Sequence, residues 1–546
     1  MSRLTPALRD QAFRWIADDP DPDSRAELQK IVAEAMGGVP GRAEELEDRL
    51  AGPLTFGTAG LRGPVRAGPN GMNTAVVIRA TAGVAAWLVS QGHRGGVVVV
   101  GRDARHGSEA FWAAAAGVLA AAGFDVRVLS NALPTPLLAY AVRAQNAVAG
   151  VQITASHNPP QDNGYKLYVQ GGGQIVPPDD HAIEAAIAAC PAAVSIPQVR
   201  TWTPIEEPTL NAYLDRAATL PRGTARELRI AATALHGVGA GPLSLALHRA
   251  GFTDVHLVRE QTEPDPDFPT VGFPNPEEPG ATDLLLSLAS TVDADIAIAL
   301  DPDADRCAIG IPTPTGWRML TGDETGSLLG EHILSTTDSV SPLVANTIVS
   351  SSLLSAIATA HGARYAATLT GFKWLVRAGE GLIYAYEEAL GHCVDPTSVL
   401  DKDGISAAIL LADLAATLRA TTRTLADALD DLALRHGLHL TSQVSLRVTD
   451  LTRIGTLMTA LRANPPPTFA GVAVTAEDLM PGANVLRYTG DGLRVLVRPS
   501  GTEPKIKAYL EVVEPAPTAD ALPAARTAAQ DRLTAISTEI RDLLNG

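Results

Sequence analysis

Short β-branched runs alternating with Ala-rich helical runs recur three times along this chain, which restricts it to α/β folds assembled from βαβ units. The first copy holds VVVV at 97–100, helical spacing from about Gly107 to Ala122, DVRVL at 125–129, a helix near 135–144 and the strand AVAGVQI at 147–153. The second runs through ELRIAATAL (227–235), a helix from about Pro242 to Ala250, VHLV, and DIAIAL at 295–300. The third comprises LVANTIV (343–349), a helix near 352–361, RYAATL, a helix after Gly371, and LIYAYEE. Each copy ends in a strand that delivers polar residues onto a turn: Ser156, then Asp301 to Asp305, then Glu387 and Glu388. Ligands of α/β sheets bind at the carboxyl ends of strands, so the three ends are expected to meet at one cleft.

The remainder reads differently. Residues 1–50 have helical spacing and mixed charge, broken at Pro20 and Pro22, and carry no evident chemistry. From about 436 the pattern is α+β: SQVSLRV, a helix near 452–463, GVAVTAEDL, VLRY, LRVLVRPSGTEPKIKAYLEVV, and a closing helix from about Ala519 to Leu544. Pro and Gly cluster at Pro191 to Pro208 and at Pro312 to Gly316, which reads as linkers. A chain of 546 residues exceeds what one core supports. The expected division is a helical extension over 1–50, α/β domains over 51–205, 206–316 and 317–436, and an α+β domain over 437–546.

The net charge of −17 argues against a nucleic-acid partner, and any anionic ligand must meet local positive charge. Cys190, Cys307 and Cys393 offer neither a disulfide framework nor a zinc spacing, which fits a reducing cytosol. The longest apolar run, Phe111 to Phe124, falls short of the roughly 20 residues that span a bilayer, and the N-terminus lacks an apolar signal core. A cytoplasmic protein without a membrane partner is expected.

Three stretches carry chemistry. In ITASHNPPQDNGYKLY (153–168), Ser156 sits on a polar turn after a buried-looking strand, with His157 adjacent and Lys166 on a segment able to fold back. A serine hydroxyl is a poor nucleophile unless its neighbours activate it. The same letters also suit a plain turn, with Ser and Asn bonding to the backbone. In LDPDADR (300–306), Asp301, Asp303 and Asp305 alternate, so an extended turn can aim them at one hard cation such as Mg²⁺. A calcium EF-hand would need Gly and Glu where this chain has Arg306 and Pro312; a helix-capping or solvated acidic turn is the plainer alternative. RPSGTEPK (498–505) supplies Arg498, Ser500, Gly501, Thr502 and Lys505, enough to wrap a phosphate, although a turn after a strand would look similar. FGTAGLRG (56–63) adds Arg62 in a Gly-rich turn that also suits a loop tip, and HGVGAG (236–241) lacks the spacing of a dinucleotide-binding turn. Serine and carboxylates together point to phosphoryl transfer.

The motifs FGTAGLRG, ITASHNP, DNGYKLY, LDPDADR, TGFKWL, YEEALGH, DKDG and RPSGTEPK, in this order over about 55–510, resemble the α-D-phosphohexomutase superfamily of phosphoglucomutases and phosphomannomutases. The resemblance implies a heart-shaped enzyme of four domains, three alike and the fourth distinct. By it, Ser156 is the phosphoserine, and Asp301, Asp303 and Asp305 with a phosphoserine oxygen hold Mg²⁺. Arg62, His157, Lys166 and Arg306 surround the transferring phosphoryl group, with His157 or Lys166 moving the proton. Lys373, Glu387, Glu388 and Lys402 fall at sugar-facing positions, and Arg498, Ser500, Gly501, Thr502 and Lys505 grip the phosphate that is not reacting.

The implied reaction interconverts the 1-phosphate and 6-phosphate of glucose or mannose through a sugar bisphosphate, glucose 1,6-bisphosphate serving as activator. Many members carry Glu-x-Ser in the sugar loop, whereas this chain has Glu387, Glu388 and Ala389. The spellings FGTAGLRG, DPDADR and DKDG are most similar to a branch that includes phosphopentomutase-like enzymes, so ribose or deoxyribose phosphate is the alternative substrate. A sugar-phosphate binding protein without chemistry is the alternative of another class.

Overall fold

The computed structural model describes residues 4–55, 60–448, 452–500 and 505–545. They form two compact units: Met1–Met319 with Gly391–Asp413, and Leu320–Leu390 with Leu414–Gly546.

The first unit opens with helices Pro6–Asp18, Pro22–Met36 and Arg42–Arg49, joined by a core that includes Ala12, Ile16, Leu28, Ile31 and Leu46. Pro22 starts the second of these helices, where its missing N–H costs nothing, and Asp21 caps it by accepting from Asp23 N and Ser24 N. The first sheet runs Leu61–Pro64, Asp162–Val169, Ala149–Ile153, Val97–Arg102, Asp125–Ala132, Thr203–Pro204. Val97–Arg102 lies parallel to both Asp125–Ala132 and Ala149–Ile153, as the βαβ pattern requires. The Lys166 segment is itself a strand, antiparallel to Ala149–Ile153, with Gln152 opposite Lys166. Its letters DNGYKLYV hide that strand from a hydrophobic-pattern reading, because Lys166 is buried without being apolar.

The second sheet repeats the arrangement in the order Gly316–Met319, Cys307–Thr313, Ile296–Leu300, Arg229–Thr233, Asp254–Leu257. Leu300 pairs with Cys307 across an antiparallel ladder, so Asp301 to Arg306 form the connection of a hairpin. In both sheets the last parallel strand therefore turns back on itself through the loop that bears the polar residues. The Pro312 to Gly316 stretch, read above as a linker, is instead the turn between Cys307–Thr313 and Gly316–Met319.

In the second unit, Leu343–Thr347 is parallel to Arg364–Thr368 and to Leu382–Glu387. The helix after Gly371 is short, Phe372–Leu375. The C-terminal sheet is antiparallel where its long strands meet: Leu438–Arg447 pairs with Lys505–Glu514, which pairs with Leu493–Pro499, then Leu486–Gly490 and Val472–Asp478. Helices Thr452–Ala463 and Leu522–Asn545 add Met458, Leu461, Ala529, Leu533, Ile536 and Ile540 to its core. Cys190, Cys307 and Cys393 are free thiols. No helix among the described residues is long and apolar enough to cross a membrane.

Candidate active site

Ser156 follows the fully buried strand Ala149–Ile153 and has φ of 54°, a left-handed conformation that a residue with a Cβ seldom adopts. Two features hold it there. Its N–H donates to Thr154 Oγ1 at 2.9 Å, and the buried Arg105 guanidinium donates to the carbonyls of Ser156 (2.7 Å), Asn158 (2.6 Å), Pro159 (2.8 Å) and Asp162 (3.1 Å). Arg105 also lies 5.0 Å from the Phe268 ring centroid. Little in the sequence marks Arg105, the local hint being GRDAR directly after a buried strand.

Ser156 Oγ donates to Asp301 Oδ2 at 2.9 Å and lies 3.3 Å from His157 Nδ1. The serine turn and the aspartate loop, 145 residues apart in sequence, are thus in direct contact. One ligand oxygen from each of Asp301, Asp303 and Asp305 lies within 4.8 Å of the others, and all three residues are buried. Asp303 Oδ2 accepts from Lys166 Nζ (2.7 Å) and Thr135 Oγ1 (2.5 Å); Asp305 Oδ2 pairs with Lys166 Nζ (2.7 Å) and Lys402 Nζ (3.2 Å). The other oxygens, Asp303 Oδ1 and Asp305 Oδ1, are buried and have no hydrogen-bond partner among the described residues.

A buried carboxylate oxygen left bare is costly unless something else coordinates it. Three carboxylates with two such oxygens suit a hard divalent cation, so the cluster could hold a metal ion.

The electrostatics agree with that division. Burial pushes Asp305 up, but Lys166, Lys402 and Arg306 together hold it far below the usual carboxylate range. Asp303 is also held low despite burial and Asp305, chiefly by Lys166. Asp301, whose neighbours are Asp303 and Asp305, is raised well above its ordinary value by burial and by those two charges. Burial, then Arg306 and Arg62, push His157 well below 6.5 and keep the imidazole neutral. Lys166 is raised, since Asp303 and Asp305 outweigh the burial that would lower it.

Arg306 Nε lies 3.9 Å from Asp305 and 4.0 Å from Asp301, and Arg306 N donates to Asp301 Oδ1 at 3.1 Å. Arg62 donates to Asn158 Oδ1 at 3.4 Å. Ser156, His157, Lys166, Arg62, Arg306 and the three aspartates thus lie in one unit, joined there by Lys402.

The remaining residues singled out in the sequence belong to the second unit. Lys373 is buried, with Nζ 5.6 Å from the Trp374 ring centroid. Glu387 closes the strand Leu382–Glu387. Glu388 is engaged internally, its Oε2 accepting from Thr347 Oγ1 (3.1 Å) and Ser350 Oγ (3.2 Å). Arg498 stacks on Tyr509, 5.8 Å from the ring centroid, and Ser500 N donates to Lys505 O at 2.8 Å, closing the neck of the last hairpin. Gly501 and Thr502 lie outside the described residues, as does Phe56 to Ala59 of the FGTAGLRG motif.

Known proteins place this geometry in a class. The chain matches the models of phosphoglucomutase/phosphomannomutase α/β/α domain I over 53–192, domain II over 211–313, domain III over 321–435 and the C-terminal domain over 457–529. It is 42% identical over 453 residues to "Probable phosphomannomutase" of Haemophilus influenzae, covering 81% of this chain and 93% of the relative. It is 32% identical over 570 residues to the phosphopentomutase of Homo sapiens, covering 93% and 92% of the two chains. A solved Thermus thermophilus structure assigned as a phosphomannomutase superposes with a TM-score of 0.71 at 25% identity, covering 90% of this chain and 99% of that one. The class is that of phosphotransferase isomerases with a four-domain α/β architecture. The chain belongs to the phosphoglucomutase/phosphomannomutase family.

Proposed function

We propose that this protein is a Mg²⁺-dependent mutase that moves a phosphoryl group between the 1-position and the terminal hydroxyl of a hexose phosphate, with Ser156 as the phosphoryl carrier. The observation that supports it most is the 2.9 Å hydrogen bond from Ser156 Oγ to Asp301, which sets a strained serine against the carboxylate cluster.

Asp301, Asp303 and Asp305 would hold the cation, which when bound spreads the negative charge of the transferring group. Arg306, with Nε 3.9 Å from Asp305 and 4.0 Å from Asp301, adds fixed positive charge there, and the charge of Arg62 acts on the same three aspartates. His157, neutral and 3.3 Å from Ser156 Oγ, is the better proton carrier of the two candidates, because Lys166 is committed to Asp303 and Asp305. Phospho-Ser156 would phosphorylate the free hydroxyl of the substrate, giving a sugar bisphosphate such as glucose 1,6-bisphosphate. The bisphosphate then returns its other phosphate to Ser156. Lys373, Glu387, Glu388 and Lys402 are proposed for the sugar, and Arg498, Ser500, Gly501, Thr502 and Lys505 for the distal phosphate. The divisions at 50, 205 and 436 are retained as the domain proposal, the one read at 316 moves past Met319 because Gly316–Met319 belongs to the second sheet, and a cytoplasmic location is kept as the compartment.

The hexose reading draws on the phosphomannomutase relative at 42% identity. A pentose phosphate is the second reading, favoured by the human phosphopentomutase match over 93% of the chain and by Ala389 standing where a serine hydroxyl is common. Incubating the protein with ³²P-labelled glucose 1,6-bisphosphate is expected to label Ser156 in the wild type and not in Ser156→Ala, and the variant should lose mutase turnover while keeping its circular dichroism. Near-normal turnover by Ser156→Ala would end the carrier assignment. Rates on glucose 1-phosphate, mannose 1-phosphate and ribose 1-phosphate, measured side by side, decide between hexose and pentose.

A further inference from the structure

Helix Thr135–Ala144 begins at a residue that touches the aspartate loop twice. Thr135 N donates to Asp303 O at 3.0 Å, and Thr135 Oγ1 donates to Asp303 Oδ2 at 2.5 Å. Thr135 is fully buried, and 168 residues separate it from its partner. The first N–H groups of a helix have no acceptor within the helix, and here one of them is satisfied by the loop carbonyl. Pro134 and Pro136 flank the threonine and stiffen the backbone that presents it.

One main-chain bond and one side-chain bond to the same residue define both where Asp303 sits and how its carboxylate is turned. Oδ2 is then doubly occupied, by the Thr135 hydroxyl and the Lys166 ammonium. Oδ1, buried and without a hydrogen-bond partner among the described residues, is the oxygen left over. A neutral hydroxyl does this without adding a further cation to repel an incoming metal ion.

We propose that Thr135 is a positioning residue for the cation site: its hydroxyl occupies Asp303 Oδ2 and thereby presents Oδ1 to the ion. The proposal rests on the reading of Asp301, Asp303 and Asp305 as cation ligands. Thr135 itself touches neither substrate nor metal; it acts through Asp303. Outer partners of ligating carboxylates typically change metal affinity by about 10–100-fold when removed.

The test is Mn²⁺ binding to the full-length protein, read by the loss of the free-ion electron paramagnetic resonance signal, for wild type, Asp303→Asn, Thr135→Val, Thr135→Ala and Thr135→Ser. Val and Ala are expected to weaken Mn²⁺ binding about tenfold or more, and Ser, which restores the hydroxyl, to bind as wild type does. If the valine variant does not fold, the comparison of Ala with Ser carries the same information. Val and Ala binding as tightly as wild type while Asp303→Asn has lost the ion would overturn the proposal and leave the cation reading standing. Equal losses in Ser, Ala and Val would also overturn it, because the hydroxyl would not be the determinant. Absence of Mn²⁺ binding by the wild type would overturn the cation reading and the proposal with it.

Discussion

Lys166 is buried with its ammonium 2.7 Å from both Asp303 and Asp305, and that charge offsets part of the repulsion between the two carboxylates. Replacing it with Met keeps the apolar stem and removes the charge. Breaking a buried pair in this way costs about 3–5 kcal/mol, because the partners stay buried and uncompensated. Lys166→Met is therefore expected to lower the urea midpoint of the first unit's unfolding in EDTA, and saturating Mg²⁺ should restore part of the loss by supplying positive charge at the same two carboxylates. No shift in EDTA would show that Lys402 and Arg306 suffice. At this scale the sequence was legible wherever chemistry is local: Ser156 with His157, and the three alternating aspartates, stand within short motifs. Arg105 and Thr135 were not legible. An arginine two residues after an aspartate and a threonine between prolines look ordinary until the fold brings them against Ser156 and Asp303.

The aspartate loop is clamped by a turn at Gly237 and by the start of helix Gly404–Arg419, whose glycines are required for different reasons than flexibility. A Cβ on Gly237 would stand 2.3 Å from Pro302 Cα, and one on Gly404 would stand 2.5 Å from Arg306 O. Val238 N also donates to Pro302 O at 2.9 Å. The HGVGAG motif, unhelpful as a nucleotide signature, thus serves as a backing plate for the loop. Gly237→Ala is expected to destabilise by about 1–3 kcal/mol through overpacking and to weaken Mn²⁺ binding. Gly241, four residues on, lies in the helix Ala240–Arg249 with nothing among the described residues within 4 Å of its would-be Cβ, so Gly241→Ala should be neutral or stabilise by up to about 1 kcal/mol. Thermal unfolding of the two variants checks the contrast; similar losses in both would refute the clamp. The βαβ alternation predicted the parallel strands closely, since β-branched runs and Ala-rich periodicity are local signals. It did not reveal the antiparallel strands Asp162–Val169 and Cys307–Thr313 that turn each loop back, because hairpin pairing is a long-range outcome of register.

Over the whole molecule, the second unit is knit together at one serine turn. Ser351 N donates to Asp323 Oδ1 (2.6 Å), Ser351 Oγ and Ser352 N donate to Glu511, and Arg494 pairs with Glu511 at 2.7 Å while bonding to the carbonyls of Ile348 and Ser350. Helix Gly322–Thr336, the parallel sheet and the C-terminal sheet meet there. Burial raises Asp323 from 3.8 to about 7, with Glu388 and Glu511 adding to the shift against the bond from Ser351. A carboxyl raised on folding contributes stability that is complete below its unfolded value and lost as pH climbs through its folded one. The second unit should therefore lose on the order of 1 kcal/mol per pH unit between about 4 and 7, and Asp323→Asn, which keeps the acceptor oxygen, should flatten that slope. Melting temperatures of both proteins across this range test it; parallel profiles would contradict the assignment. Membership of the phosphoglucomutase/phosphomannomutase family, the order of the α/β modules and the residue types of the reactive loops were determined by the sequence alone, because periodicity and short motifs are written locally. Which donor occupies which carboxylate oxygen, and that Thr135, Arg105 and Gly237 support the site from far along the chain, was decided only by the tertiary structure, because those contacts depend on strand register and on burial that no local pattern encodes.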